Sequence, residues 1–257
     1  MEQLFTSGGI GIAGHLARPN IASGTQVPGL LITHGFPHMH LGGRLSARSF
    51  PELAERIATE MGWVVLTFTF RGCGDSEGDF SLRGWLDDLL AAARFLREVD
   101  AVRGVWAAGF GTGGALSVCA AAADPEIRGV AAVAAPADFD DWASHPRRLL
   151  QHARDTGIIR SATFPPAFDV WAREIRDVRA VAAIPKVAPR SVLLLHGSDD
   201  DVVPVFDARV LADAHGEADL RIIDGGGHQL RHDPRAVAVL LGWLNRQRAL
   251  TVEERAT

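Results

Sequence analysis

The chain has 257 residues, 47% of them hydrophobic and 22% charged, a length typical of one large α/β domain or two small domains. This hydrophobic share excludes an intrinsically disordered chain, and the formal net charge of −5 offers no attraction to nucleic acid or anionic lipid. Cys73 and Cys119 are too few for a disulfide framework, and neither lies in a metal-binding pattern.

The first predicted element is a hairpin, since strand-forming residues at 4–6 and 10–16 are joined through Ser7-Gly8-Gly9. Beyond it, short apolar strands alternate with segments of helical periodicity. The predicted strands are 30–32, 64–70, 105–108, 130–134, 191–195 and 220–223. The predicted helices are one that starts at Ser49 and Pro51 and ends at Gly62, one that begins at Ser81, and those at 115–122, 206–214 and 234–246.

The segment 138–186 is more polar, with helical pieces predicted at 145–154 and 168–179. No internal repeat or low-complexity linker divides the chain. We therefore predict a single domain over residues 1–257 that contains 138–186 as a helical insertion.

The predicted strands after the hairpin are continuous apolar runs, which indicates a parallel sheet covered by helices on both faces. Ligands of such sheets bind at the carboxyl ends of the strands. The loops that directly follow each strand are therefore the places to search for a functional site.

The segment Gly109-Phe110-Gly111-Thr112-Gly113-Gly114 follows the fifth strand and has two interpretations. It matches G-x-G-x-x-G, which can bind a pyrophosphate at a helix N-terminus, and Asp138 would then bind a ribose. That fingerprint normally opens the first strand–helix unit, however, and not the fifth. The segment also matches a nucleophile elbow, G-x-S-x-G, in which Gly111 takes the place of the serine.

The other strand ends distinguish the two interpretations. They carry HGF at 34–36, FRGCGDS at 70–76, HGSDDDVVP at 196–204 and GGGH at 225–228. Together with the elbow, this series resembles the α/β-hydrolase family over almost the whole chain. The resemblance implies a mainly parallel eight-stranded sheet whose first strand pair is antiparallel, with helices on both faces and 138–186 as a small helical lid.

By that resemblance Asp200 matches the triad acid and His228 the triad base, while the backbone amides of Phe36 and Thr112 match the oxyanion hole. The family's chain order of nucleophile, acid and histidine is kept as 111, 200 and 228. The departure is at Gly111, where the hydroxyl that would form an acyl-enzyme is missing. The resemblance also implies that the protein needs no cofactor.

Each of these residues also has a purely structural interpretation. Asp200 is compatible with a turn acid and His228 with a helix cap, while Asp199 and Asp201 compete for the role of the acid. Glycine at 111 relieves a backbone conformation that costs other residues roughly 1–2 kcal/mol, so its presence would stabilise the turn.

Two further side chains compete for the role of nucleophile. The hydroxyl of Thr112 is expected to point away from the cleft, and Cys73 follows a neighbouring strand without a visible activating group.

The candidate substrate pocket combines His34 with aromatic residues of the insertion, namely Trp142, Phe168 and Trp171. The aromatic side chains are equally compatible with a small core within the insertion. His34, His38 and His40 suggest a metal site, but no carboxylate accompanies them at ligand spacing, so we expect no metal.

Three functions follow from these readings. The first is an α/β-hydrolase-family protein that binds a small ester-like or acidic ligand with little or no turnover. The second is an active hydrolase, lyase or isomerase in which Asp200 and His228 act as a general base. The third is a dinucleotide-binding oxidoreductase, which leaves the other four motifs unexplained.

The expected partner is a small-molecule ligand or substrate, with no nucleic acid and no membrane. Glu2 stands where a signal peptide carries basic residues, and no apolar run reaches 18 residues, so we expect a cytoplasmic location. Whether the chain forms a homo-oligomer is left open.

Overall fold

A central sheet of eight strands organises the computed structural model, which describes residues 1–37, 42–45, 48 and 50–253. The strands are β1 (Glu2–Ser7), β2 (Ile10–Ala17), β3 (Val27–Thr33), β4 (Val64–Phe68), β5 (Val102–Phe110), β6 (Ile127–Val133), β7 (Ser191–Gly197) and β8 (Asp219–Ile223). They lie in the order β1-β2-β4-β3-β5-β6-β7-β8. This arrangement confirms the predicted eight-stranded, mainly parallel sheet.

The strand directions agree with the prediction of an antiparallel first pair in a mainly parallel sheet. β1 and β2 form an antiparallel hairpin, and β2 also runs antiparallel to β4. Every other neighbouring pair is parallel, from β3–β4 through to β7–β8. The carboxyl ends of β3 to β8 therefore meet at one edge of the sheet, where the motif-bearing loops emerge.

Helices cover both faces of this sheet. They are α1 (Phe50–Met61), α2 (Leu82–Arg97), α3 (Thr112–Ala123), α4 (Asp140–Ser144), α5 (Pro146–Asp155), α6 (Phe168–Asp177), α7 (Ala180–Ala183), α8 (Val205–His215) and α9 (Pro234–Glu253). α1 and α9 pack on one face, and α2, α3 and α8 contribute to the core on the other. Because both faces are covered, the central strands are buried along their whole length, as their continuous apolar sequences predict.

The start of α2 is determined by a local capping residue, whereas the start of α3 is determined by packing against the sheet. Ser81 caps α2 as predicted, because its Oγ accepts the N–H of Gly84 at 2.9 Å. α3 instead begins at Thr112, three residues before the predicted start. Gly113 and Gly114 disfavour a helix intrinsically, but both are buried against the sheet and packing decides the outcome.

The GFGTGG segment joins β5 to α3 in the middle of the sheet. It does not open the first strand–helix unit, which a dinucleotide fingerprint requires. Asp138, the suggested ribose acid, accepts from the guanidinium of Arg179 at 3.2 Å. The dinucleotide interpretation therefore does not fit the fold.

The insertion between β6 and β7 is helical and contains α4 to α7. Its predicted piece at 145–154 corresponds to α5. The shorter α4 ends just before it, because Pro146 cannot supply the N–H needed to continue that helix. Phe80, in the loop before α2, fixes the insertion to the sheet: its N–H donates to the carbonyl of Ile158 at 2.9 Å, and its own carbonyl accepts Nε1 of Trp171 at 3.1 Å.

Candidate functional site

Gly111 forms the turn between β5 and α3. Its backbone has φ 55° and ψ −126°, a conformation that residues other than glycine rarely adopt. The turn is held by two backbone hydrogen bonds: Gly111 N–H donates to Val133 at 2.8 Å, and its carbonyl accepts from Gly114 at 2.9 Å. The carboxyl end of the central strand thus presents position 111 on a tight turn that glycine adopts without strain.

A small polar network beneath this turn fixes the start of α3. The carbonyl of Gly113 accepts the Oγ of Ser117 at 2.8 Å and the Oγ1 of Thr33 at 3.1 Å. Gly113 also lies so close to the carbonyl of His34 that a Cβ at that position would collide with it. The end of β3 and the start of α3 are therefore locked together.

Asp200 lies in the loop after β7, and its side chain is fully buried. Its Oδ1 accepts the N–H groups of Val202 at 2.9 Å and Val203 at 2.8 Å, and its Oδ2 lies 2.9 Å from Nδ1 of His228. Burial alone would raise the pKa of this carboxyl, but the hydrogen bonds from His196, His228 and the two amides outweigh it and hold the pKa below its usual range. Asp200 is therefore an ionised carboxylate that is buried and fully hydrogen-bonded within the protein.

His228 follows β8 and connects Asp200 to the turn at Gly111. Because Asp200 is ionised and accepts only, Nδ1 of His228 carries the hydrogen of their bond. On the other side of the ring, a Cβ built on Gly111 would lie 3.5 Å from Nε2 and 3.7 Å from Cε1. The imidazole is thus held in one tautomer with Nε2 turned towards position 111.

Gly35 brings the Phe36 amide to the same place, since a Cβ on Gly35 would lie 3.6 Å from the Cα of Gly111. Phe36 follows β3 and Thr112 is the first residue of α3. Within the described part of the chain, neither amide N–H has a protein acceptor. The two backbone donors are therefore available to a ligand beside Gly111.

His34 sets the orientation of the Gly35–Phe36 peptide. Its Nε2 accepts the N–H of Phe70 at 3.1 Å, so the ring hydrogen is on Nδ1, which donates to the carbonyl of Gly35 at 2.7 Å. In a trans peptide the N–H points opposite the carbonyl, so the Phe36 N–H faces away from His34. Burial lowers the pKa of His34 to about 4, which keeps the ring neutral at pH 7.

Two residues predicted for the substrate pocket are part of the scaffold in this structure. His34 and Trp171 are each 3% exposed. The ring of His34 packs against Phe70 and Trp85, while Trp171 packs on Phe80 at a centroid distance of 6.3 Å. His34 and Trp171 therefore pack in the core, where little of either side chain is accessible to a ligand.

Trp142 and Phe168 are half-buried and remain pocket candidates. Trp142 packs edge-on against Phe36 with a centroid distance of 5.0 Å, next to the backbone amide of interest. Phe168 lies farther out, with the guanidinium of Arg147 4.9 Å above its ring. Trp142 is therefore the insertion residue most directly associated with Phe36.

The competing nucleophiles are poorly accessible. Thr112 is 6% exposed and Cys73 is completely buried. Burial raises the pKa of Cys119 to about 12, so that thiol stays protonated at neutral pH.

The metal interpretation depended on three histidines. His38 and His40 lie outside the described residues, and His34 is engaged by backbone groups. Elsewhere in the described ranges no group of three or more potential ligands could hold a metal ion. Across the same part of the chain no helix is both long and apolar enough to cross a membrane.

Sequence reasoning missed His196, which is buried at the end of β7 with Nε2 3.3 Å from Oδ2 of Asp200. The available signal was the repeated His-Gly pair at two strand ends, His34-Gly35 and His196-Gly197. Both histidines turn out to hold the loop that follows them.

Comparison with known proteins identifies relatives of this chain. A family model described as the alpha/beta hydrolase family matches residues 30–240. The lysophosphatidylserine lipase ABHD12 of Danio rerio is 30% identical over 156 residues, which is 58% of this chain. The matched stretch spans only 38% of that lipase.

Solved structures share the fold over nearly the whole chain. The Est1E protein of Butyrivibrio proteoclasticus with ferulic acid bound has a TM-score of 0.72 at 22% identity and covers 99% of this chain and 100% of its own. The alpha/beta hydrolase GrgF from Penicillium sp. sh18 has a TM-score of 0.75 at 20% identity, covering 97% of this chain and 99% of its own. The Pyrococcus furiosus esterase Pf2001 has a TM-score of 0.68 at 15% identity, covering 96% and 89%.

Proposed function

Because this chain belongs to the α/β-hydrolase family, we propose that its cleft binds a small ester-like or acidic carbonyl compound and forms no acyl-enzyme with it. The observation that carries the proposal is Gly111, which occupies the tight turn that faces Nε2 of His228. The turn has the position and backbone of a nucleophile elbow but carries no hydroxyl. Without an attacking atom, covalent acyl transfer has no first step.

The remaining parts of the cleft support carbonyl binding. We assign the N–H groups of Phe36 and Thr112 to an oxyanion-binding site beside Gly111, where they would suit a carbonyl or carboxylate oxygen. We assign Trp142 and Phe168 to the wall of the pocket, and residues 138–186 to a lid. Several relatives are named for ester chemistry or hold an aromatic acid, which supports this ligand class.

The Asp200–His228 pair favours a second candidate function. A ligand-binding site has no need of a buried, ionised carboxylate that holds an imidazole in one tautomer. The same pair next to an oxyanion-binding site suits a general base that removes a proton from water or from a substrate C–H. This candidate is a slow hydrolase, lyase or isomerase that uses no covalent intermediate.

Binding is tested by isothermal titration with a matched pair, an aryl methyl ketone and its secondary alcohol. We expect the ketone to bind more tightly, because its carbonyl oxygen accepts both amides near the plane of the C=O, whereas the alcohol oxygen is tetrahedral and must also place its own hydrogen. Equal affinity for the two compounds would contradict the proposal.

The two candidate functions are separated by activated esters. Binding alone gives no hydrolysis above background. General-base catalysis gives linear release of p-nitrophenol without a burst, and His228→Gln abolishes it. Stoichiometric labelling of the wild-type protein by a fluorophosphonate, detected by intact mass spectrometry, would contradict both functions.

A further inference from the structure

A second histidine contacts the carboxylate of the Asp200–His228 pair. Nε2 of His196 lies 3.3 Å from Oδ2 of Asp200, the oxygen that also receives Nδ1 of His228 at 2.9 Å. The side chains of His196 and Asp200 are 1% and 0% exposed. Solvent therefore cannot replace either partner of this contact.

The protonation of His196 follows from its neighbours. Nε2 also lies 2.9 Å from the carbonyl of Val203, and both the carbonyl and the carboxylate can only accept. The hydrogen of this nitrogen is therefore present and directed between the two oxygens. Through this hydrogen, the carboxyl end of β7 holds the loop that contains Asp200.

The four contacts of Asp200 leave its carboxylate one orientation. Oδ1 is held by the amides of Val202 and Val203, and Oδ2 is shared by two imidazoles. Of these four donors, His196 and His228 are the two side chains. Without His196, Oδ2 would lose a partner in a buried place, and the carboxylate would turn or attract water.

We propose that His196 is a positioning residue that fixes the Asp200 carboxylate for His228 and shares its negative charge. This inference rests on the proposed function only in giving the Asp200–His228 pair a use. The contact itself exists in the wild-type protein and can be tested there without any reaction.

The first experiment is proton and ¹⁵N NMR of the wild-type protein with ¹⁵N-labelled histidine. We expect a low-field proton from Nδ1 of His228 and the Nε2–H tautomer at His196. A His196 hydrogen found on Nδ1 alone, or a missing low-field proton, would overturn the proposal.

The second experiment compares two variants. His196→Phe keeps a planar ring but removes the donor, and we expect the His228 proton to shift and to exchange with water roughly tenfold faster. His196→Gln returns an N–H near the original Nε2 position, and we expect the wild-type signal. The matched control is His215→Phe, a change at a buried histidine at the far end of α8, which should leave the proton unmoved.

A His228 proton that is unaffected by His196→Phe would overturn the positioning role. If His196→Phe fails to fold, the positioning role is still tested by His196→Gln and by the tautomer of His196 in the wild-type protein. Loss of the low-field His228 proton in His196→Gln would also contradict the proposal.

The ketone titration and the labelling of Gly111→Ser by a fluorophosphonate together separate this inference from the proposed function. In that background we expect His196→Phe to slow labelling about tenfold and His196→Gln to restore it. If the aryl ketone and its alcohol bind the wild-type protein equally well while the His228 proton still responds to His196→Phe, the proposed function fails and the positioning role stands. Labelling that is gained but insensitive to His196→Phe overturns the positioning role alone.

Discussion

The Nε2 atom of His228 lies 3.5 Å from the point where a Cβ on Gly111 would stand. This is an ordinary van der Waals separation, so position 111 has room for a side chain that would contact the imidazole. A hydroxyl on that Cβ would be within hydrogen-bond reach of Nε2. Under the proposed function, His228 is then a base directed at a nucleophile position that carries no nucleophile.

The first prediction is that Gly111→Ser gains covalent reactivity. The new hydroxyl would lie between His228 and the amides of Phe36 and Thr112, which is the arrangement that acyl transfer requires. We expect stoichiometric labelling by a fluorophosphonate, measured by intact mass spectrometry, and weak esterase activity. Because φ stays positive, we expect the free energy of unfolding to fall by about 1–3 kcal/mol.

The matched control is Gly111→Ala, which has the same strained backbone and no hydroxyl. It should lose similar stability and remain unlabelled. A folded Gly111→Ser that does not react would show that the base or the oxyanion-binding amides are not positioned for catalysis.

The second prediction concerns the Thr112 amide. Thr112 is the first residue of α3, where proline is well tolerated, so Thr112→Pro removes the N–H while the helix is kept. We expect roughly fivefold to tenfold weaker binding of an aryl ketone by isothermal titration. Thr112→Ser retains the amide and should bind as the wild type does. Equal affinity in all three proteins would exclude this amide from ligand binding.

The third prediction distinguishes Asp200 from its exposed neighbour Asp201. Asp200→Asn places an amide where four donors converge, and we expect the free energy of unfolding to fall by about 2–4 kcal/mol. In the Gly111→Ser background it should also abolish labelling. Asp201→Asn should change stability by no more than about 0.5 kcal/mol. Similar effects of the two substitutions on urea unfolding would show that Asp200 has no special role.

The order of elements and the edge of the sheet that carries the site were predictable from the sequence. Strand ends are marked locally, by His-Gly at 34–35 and 196–197 and by the glycines around position 111. Parallel strands deliver their carboxyl ends to one edge, so residues distant in sequence were expected to meet there. For Asp200 and His228 the expected hydrogen bond is present at 2.9 Å.

The use of individual side chains was not predictable in the same way. Whether His34 lines a pocket or packs in the core depends on where Phe70 and Trp85 lie in three dimensions. Trp171 likewise finds its partner Phe80 from 91 residues away. The contact of His196 with Asp200 requires the intervening loop to fold back on β7, and no spacing rule describes that loop.

The fourth prediction tests the attachment of the helical insertion. Oδ1 of Asp79 accepts the backbone N–H groups of Arg160 at 2.5 Å and Ser161 at 3.0 Å. Asp79→Ala leaves both amides without this acceptor, so we expect limited trypsin digestion to cut residues 154–173 several-fold faster. The control is Asp87→Ala, which removes an exposed ion pair with Arg83 and a like-charge neighbour of Glu174 but no hydrogen bond to a backbone N–H of the insertion. Equal digestion of Asp79→Ala and the wild type would show that the insertion is held elsewhere.

The fifth prediction is a pH dependence of stability that originates at His34. In the folded chain burial lowers the pKa of His34 from 6.5 to about 4. Between these two values the unfolded chain binds more protons than the folded chain, so the free energy of unfolding falls as the pH falls from 6.5 towards 4. Protonation of His34 in the unfolded chain should lower the free energy of unfolding by about 3 kcal/mol between pH 6.5 and pH 4.

The non-titrating variant His34→Gln identifies the contribution. At pH 7 it should be less stable than the wild type by about 1–2 kcal/mol, because the hydrogen bond to the Gly35 carbonyl is lost. Towards pH 4 the difference should shrink or reverse, since only the wild type is penalised by protonation in the unfolded state. Both proteins are followed by urea unfolding across this pH range, with His145→Gln, at a histidine whose side chain is 59% exposed, as the control for the loss of an imidazole. A constant difference between His34→Gln and the wild type would mean that His34 is not held neutral, and the orientation of the Phe36 amide would then need another cause.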